Sequence, residues 1–166
     1  MVFTLIGMPG SGKSCMGKAV SGKLKLRNID SDTLIEKKEG KKLWQLMQEL
    51  GTDNFKKLEE ETLLEFHEDN CILSTGGSAV YYDAAMMHLK SLGKIIYLKV
   101  DLPVIKERLG DFSKRGIVLA PGQTIDDLYV ERCALYEKYA DITVNCSGHA
   151  FPKYHANIIS EIEKYL

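Results

Sequence analysis

A chain of 166 residues is most simply one domain, 1–166, long enough to bury about two-thirds of the surface its unfolded form exposes. Its 22 basic and 23 acidic residues leave a net charge of −1, so the bulk electrostatics call for neither nucleic acid nor an anionic membrane, and any bound anion has to be held by local charge. Cys15, Cys71, Cys133 and Cys146 are far apart with no C-x-x-C, His67, His88, His149 and His155 are equally scattered, and no signal peptide or spanning apolar run is seen; reduced thiols, no zinc, no membrane and a cytoplasmic monomer are expected.

The first apolar run, 2–6, reads as a β-strand, and 13–24 as a helix. Between them lies "GMPGSGKS", which matches the phosphate-binding loop G-x-x-x-x-G-K-[ST] in the strand-to-helix context that pattern requires. Glycines let the backbone turn successive N–H groups into a concavity, and the helix N-terminus adds a favourable field for phosphate. Gly10, Ser11, Gly12, Lys13, Ser14 and Cys15 are therefore the candidate nucleotide contacts. Lys13 is placed to reach the β- and γ-phosphates, and the Ser14 hydroxyl to ligate a magnesium ion that bridges them. Cys15 reads as a small packing residue beside the phosphates rather than a nucleophile.

A second strand, 26–30, runs into "DSDTLIEKK" and a helix at 32–39. A helix N-cap accounts for Ser31 or Asp32, but capping needs only one residue. Asp30 and Asp32, at a strand's C-terminal end, suit two tasks, one carboxylate holding a magnesium shell and the other orienting or deprotonating an acceptor hydroxyl. Helical spacing continues over 42–50 and 54–68, where Lys56, Lys57, Glu59, Glu60 and Glu61 are all candidates to face a site and periodicity does not choose among them.

The third strand, 71–75, ends in "TGGSAV", whose Gly76 and Gly77 can bring backbone N–H groups close to a ligand. A helix at 83–92, a strand at 94–100 and a helix at 102–109 follow. Then comes a glycine-rich basic stretch with Arg108, Lys114 and Arg115, the composition of a lid over about 110–122 that closes on phosphates and excludes water. The helix at 124–139 sets Arg132 among Leu128, Leu135 and Tyr136, where a guanidinium needs an anion. A strand at 142–145 and a helix at 153–165 complete the chain. Five strands alternating with helices predict an α/β fold, a parallel sheet covered on both faces, with ligands beyond the strands' carboxyl ends.

The ordered set "GMPGSGKS", "DSD", "FKKLEE", "STGGS", a lid arginine and "ERCALYEKYAD" resembles the shikimate kinase family over essentially the whole chain. That resemblance implies a three-layer α/β/α, P-loop NTPase fold of the nucleoside-monophosphate-kinase-like type. Substrate-binding helices would span about 32–68. The implied activity is ATP- and Mg²⁺-dependent phosphorylation of the 3-hydroxyl of shikimate, in aromatic amino acid biosynthesis. Carried over, Lys13 contacts the transferred phosphate, Ser14 and Asp30 serve the metal, and Asp32 contacts substrate hydroxyls and is the base. Gly76 and Gly77 offer backbone donors to substrate, Arg115 reaches from the lid, Arg132 pairs with the substrate carboxylate, and Arg108 sits against adenine in a pocket that Asn145 to Pro152 completes.

Three positions depart from the family pattern: Lys56 stands for an arginine, Ser78 for a third glycine, and Gly116 for a proline after Arg115. A lysine does not reproduce a bidentate clamp. Another hydroxy acid or a hydroxyamino acid such as homoserine is thus an alternative acceptor. A nucleotide-binding regulatory protein without an acceptor and a nucleoside-monophosphate kinase are further readings.

Overall fold

The computed structural model describes residues 1–111, 117, 119–148 and 151–166. Arg115, Gly116 and His149 lie outside the described residues. The elements run β1 (Val2–Ile6), α1 (Lys13–Leu24), β2 (Arg27–Asp30), α2 (Ser31–Glu39), α3 (Leu43–Leu64), β3 (Cys71–Ser74), a 3-10 turn (Ala79–Tyr81), α4 (Asp83–Leu92), β4 (Gly93–Lys99), α5 (Leu102–Leu109), α6 (Ile125–Tyr139), β5 (Ile142–Asn145) and α7 (Phe151–Glu163). All five strands are parallel in the order β2-β3-β1-β4-β5, as the alternation predicts.

Hydrophobic content sets the strand order. The sequences VFTLI and CILS of β1 and β3 are buried throughout, whereas β2, RNID, leaves its first two side chains exposed and lies at an edge. The chain steps over β3 to go from β1 to β2 and over β1 to go from β3 to β4, in opposite directions. Right-handed crossovers therefore place α1 and α4 on opposite faces. Accordingly, α1 packs with α7 and α4 with α3. The two crossovers leave the adjacent strands β1 and β3 in opposite directions, so a crevice opens at the carboxyl ends of those strands.

The main core spans both faces of the sheet, but Ile35, Leu46, Phe55 and Leu58 form a separate cluster between α2 and α3. The stretch 32–68 thus has its own small core beside the crevice. As expected from 42–50 and 54–68, α3 is two helices, which meet at a kink where Gly51, with φ of 74° and ψ of 171°, leaves the helical path. The second ends at Leu64 rather than 68, because Phe66 turns into the core. Thr124 and Asp127 cap the start of α6 reciprocally, at 3.1 and 2.9 Å. No described helix is long and apolar enough to cross a membrane.

Candidate active site

The loop between β1 and α1 lies at the crevice. Gly7 is required there by close approach: a Cβ would stand 2.8 Å from the Leu98 carbonyl oxygen and 2.9 Å from Ser11 Oγ. Lys13 is buried and folds its ammonium back onto the loop, donating to the carbonyls of Gly7 (2.7 Å) and Met8 (3.0 Å). Burial lowers its pKa to about 8, an effect that Asp32 opposes and Arg132 reinforces. Ser11 lies inside the loop. Its side chain is buried with no hydrogen-bond partner and is not part of the cleft wall, whereas Cys15, expected to be a packing residue, is exposed and lines the cleft.

Asp30 resolves the ambiguity of "DSD". Strand β2 passes into α2 without a loop, so Asp30, not Ser31 or Asp32, is the N-cap, its Oδ1 accepting from the Asp32 backbone N–H at 3.0 Å. Its other oxygen accepts from Ser14 Oγ at 2.7 Å. Asp32 is thereby free of capping and turns into the cleft. Burial, then the neighbouring charges of Asp30 and Glu59, push its pKa up to about 6 against the pull of Lys13.

The glycine turn after β3 is gripped from both sides. Ser31 Oγ accepts the Gly76 N–H at 3.2 Å, so Gly76, expected to present that donor to substrate, gives it to the protein instead. Tyr136 donates to the Gly77 carbonyl at 2.8 Å. One helical turn before Tyr136, Arg132 is only 7% exposed, and a Cβ on Gly77 would stand 2.9 Å from its Nη1. The guanidinium lies over the Tyr81 ring at 5.4 Å, and its Nε has no hydrogen-bond partner. Arg132 enters none of the ion pairs found among the described residues. An orphaned donor on a buried cation marks a place for an incoming anion.

Of the five charged candidates on α3, Lys56 and Glu59 line the cleft. Glu59 is half-buried; burial raises its pKa, while hydrogen bonds from Tyr82 (2.6 Å) and Ser78 (3.0 and 3.2 Å) pull it down. Ser78 therefore directs its hydroxyl to Glu59. Sequence reasoning missed Trp44, Tyr81, Glu36 and Glu131 on the same wall, as well as the supports Tyr82 and Tyr136. Trp44 stands on the cleft wall with the residue 65% exposed, and that exposure is visible only in the structure.

At the opposite end, Arg108 bridges the loop and the segment after β5, donating to the Gly10 (3.4 Å) and Cys146 (3.0 Å) carbonyls. No described residue of 145–152 lines the cleft, because Asn145 and Ser147 are engaged in their own turn, Ser147 N–H donating to Asn145 Oδ1 at 2.9 Å. From the segment expected as a lid, Ile117, Leu119, Ala120 and Pro121 border the cleft. Its volume, about 1230 Å³, exceeds what one small ligand needs and suits two bound side by side.

Residues 9–163 match the family model for shikimate kinase. A shikimate kinase of Clostridium botulinum (strain 657 / Type Ba4) is 37% identical over 147 residues, covering 86% of each chain. One of Francisella tularensis subsp. novicida (strain U112) is 34% identical over 166 residues, 98% of this chain and 92% of the relative. The structure of shikimate kinase from Acinetobacter baumannii in complex with shikimate superposes with a TM-score of 0.88 at 26% identity, over 98% of this chain and 93% of that one. With a nucleotide loop and a cationic pocket meeting in one cleft, and with these matches along nearly its whole length, the chain belongs to the shikimate kinase family.

Proposed function

We propose that this protein transfers the γ-phosphoryl group of ATP to the 3-hydroxyl of shikimate, giving shikimate 3-phosphate and ADP. The observation that carries this reading is the pairing, across one glycine turn, of a carboxylate with a raised pKa (Asp32) and a buried guanidinium with an orphaned N–H (Arg132). A hydroxy acid presents one group to each. The complex of the Acinetobacter relative with shikimate supports the choice of acceptor.

Ser14 Oγ and Asp30 Oδ2, 2.7 Å apart, are hard oxygen donors beside the phosphate loop. They fit Mg²⁺, which prefers one or two protein oxygens completed by water and phosphate, and among the described residues there is no cluster of three or more His, Cys, Asp or Glu that would make a protein cage. When bound there, Mg²⁺ neutralises charge on the nucleotide's phosphate oxygens. Lys13 exchanges its two carbonyl partners for the phosphates. Its buried position makes its charge more effective than in water. Arg132 and Lys56 hold the acceptor's carboxylate, which fixes the hydroxyl near Asp32. As the acceptor oxygen bonds to the γ-phosphorus and the bond to the β-phosphate oxygen breaks, the hydroxyl proton passes to the Asp32 carboxylate. By the family pattern Arg115 adds a cation to the phosphates, and Ile117, Leu119, Ala120 and Pro121, which border the cleft, shield the reacting groups from water.

The test is ADP release from ATP with Mg²⁺ against a panel of shikimate, quinate, gluconate, homoserine, threonine and nucleoside monophosphates. Saturable turnover with shikimate alone is expected. Turnover with another member, or none while ATP still binds, would mean that Lys56 and Ser78 mark a changed or lost acceptor.

A further inference from the structure

A buried cation without an ion pair has to be held in place by other means. Arg132 is such a cation: no carboxylate pairs with it among the described residues, and its Nε lacks a hydrogen-bond partner. Its guanidinium lies over the Tyr81 ring, with Cζ 5.4 Å from the ring centre, and the Gly77 backbone stands close to Nη1.

Tyr81 closes the 3-10 turn that follows the two glycines. It borders the cleft and is 40% exposed, so core packing does not account for where its ring stands. Its hydroxyl accounts for it. That group donates to Glu131 Oε2 at 2.8 Å, and the same oxygen accepts from Gln123 Nε2 at 3.2 Å. Glu131 immediately precedes Arg132 on α6, so the ring is tied at its rim to the residue beside the one it faces. Donation to a carboxylate also polarises the ring toward greater electron density, which strengthens its pull on a cation.

The kind of group beneath Arg132 matters. A carboxylate there would pair with the guanidinium and compete with an anionic acceptor, and an aliphatic side chain would leave the buried charge without any attraction. An aromatic face attracts the cation and leaves Nε–H unclaimed.

We propose that Tyr81 is a positioning residue whose ring, tied through its hydroxyl to Glu131, holds Arg132 against the glycine turn in the ligand-free protein, so that the acceptor's carboxylate meets a guanidinium already in place. This rests on the acceptor site proposed above. Ordering a long side chain in advance removes part of the cost of binding, so the effect falls on acceptor affinity. Once bound, the carboxylate itself orders Arg132, and kcat is little affected.

Two measurements test it. In steady-state kinetics, Tyr81→Leu raises KM for shikimate about fivefold while KM for ATP and kcat change no more than about twofold. Tyr81→Phe keeps the aromatic face and stays within about twofold of the wild type, and in an Arg132→Met background Tyr81→Leu changes KM for shikimate less than about twofold. An unchanged KM in Tyr81→Leu, a Tyr81→Phe protein as impaired as Tyr81→Leu, or an equal effect of Tyr81→Leu with and without Arg132 overturns the proposal. The second measurement needs no acceptor: nitrogen-15 relaxation of the Arg132 Nε–H, identified by its loss in Arg132→Met, in the free protein. Its order parameter is close to that of rigid backbone in the wild type and Tyr81→Phe and falls to the flexible range in Tyr81→Leu; an order parameter that Tyr81→Leu leaves unmoved overturns the proposal. If the wild type itself shows no turnover with shikimate, the functional reading has failed, and the relaxation measurement alone decides whether Tyr81 holds Arg132.

Discussion

Replacing Asp32 by Asn should stop catalysis and stabilise the ligand-free protein. Asp32 sits where burial, Asp30 and Glu59 all disfavour its charge, so its pKa rises from the ordinary 3.8 to about 6 in the folded chain. A folded state that holds a proton more tightly than the unfolded one loses stability as pH rises, here between about 4 and 6, and the loss is complete above that window. A displacement of about 2 pH units, at about 1.4 kcal/mol each, sets an upper limit of about 3 kcal/mol, and the partial exposure of Asp32 reduces this to about 1–3 kcal/mol. The attraction to Lys13 is already contained in the net displacement. Asn keeps the shape and removes the charge. For a chain of this size each kcal/mol moves the melting temperature by about 2–4 °C. Thermal unfolding followed by circular dichroism, without nucleotide or Mg²⁺, should therefore show Asp32→Asn melting several degrees above the wild type at pH 7.5, with the gap closing as pH falls toward 4. A variant that melts at or below the wild-type temperature at pH 7.5, or a gap independent of pH, would refute the electrostatic reasoning.

Lys13→Ala removes the ammonium that neutralises the transferred phosphate, and kcat should fall by at least about 10²–10³-fold, read by ADP release. Arg132→Met empties the guanidinium from its buried slot; KM for shikimate should rise about 10–100-fold with KM for ATP little changed. Lys56→Arg supplies a planar fork on the exposed rim and should lower KM for shikimate several-fold, about 2–5, in the same assay. Ser14→Ala deletes one of the two oxygens offered to Mg²⁺, and the Mg²⁺ concentration for half-maximal turnover should rise about tenfold.

The phosphate loop and the parallel sheet were legible in the sequence because each has a local signature. Gly7 to Ser14 match at fixed offsets, and apolar runs alternate with helical spacing. What failed to show were contacts made across elements. Asp30 and Asp32 are two residues apart, and only the direct passage of β2 into α2 decides that Asp30 caps and Asp32 faces the cleft. In the half of α3 after Gly51, Lys56, Lys57, Glu59, Glu60 and Glu61 are spread around the helix, so periodicity alone does not single out Lys56 and Glu59 as the two turned to the site. Gly76 reads as a donor to substrate until Ser31, forty-five residues earlier in the chain, is seen to take its N–H. Ser78 was visible as a departure from the family glycine, but its partner Glu59 lies on another helix. Position along the chain predicts elements well where periodicity is unbroken, and predicts side-chain partners poorly wherever a bend or a crossover intervenes.

The most direct test of the central claim is to incubate the protein with Mg²⁺, shikimate and ATP labelled with oxygen-18 on the γ-phosphoryl group, and to weigh and locate the product by mass spectrometry and phosphorus NMR. Shikimate carrying the labelled phosphoryl group on its 3-hydroxyl, formed together with one ADP, is the predicted result. Label recovered only in inorganic phosphate, or on a different acceptor from the panel, would contradict it.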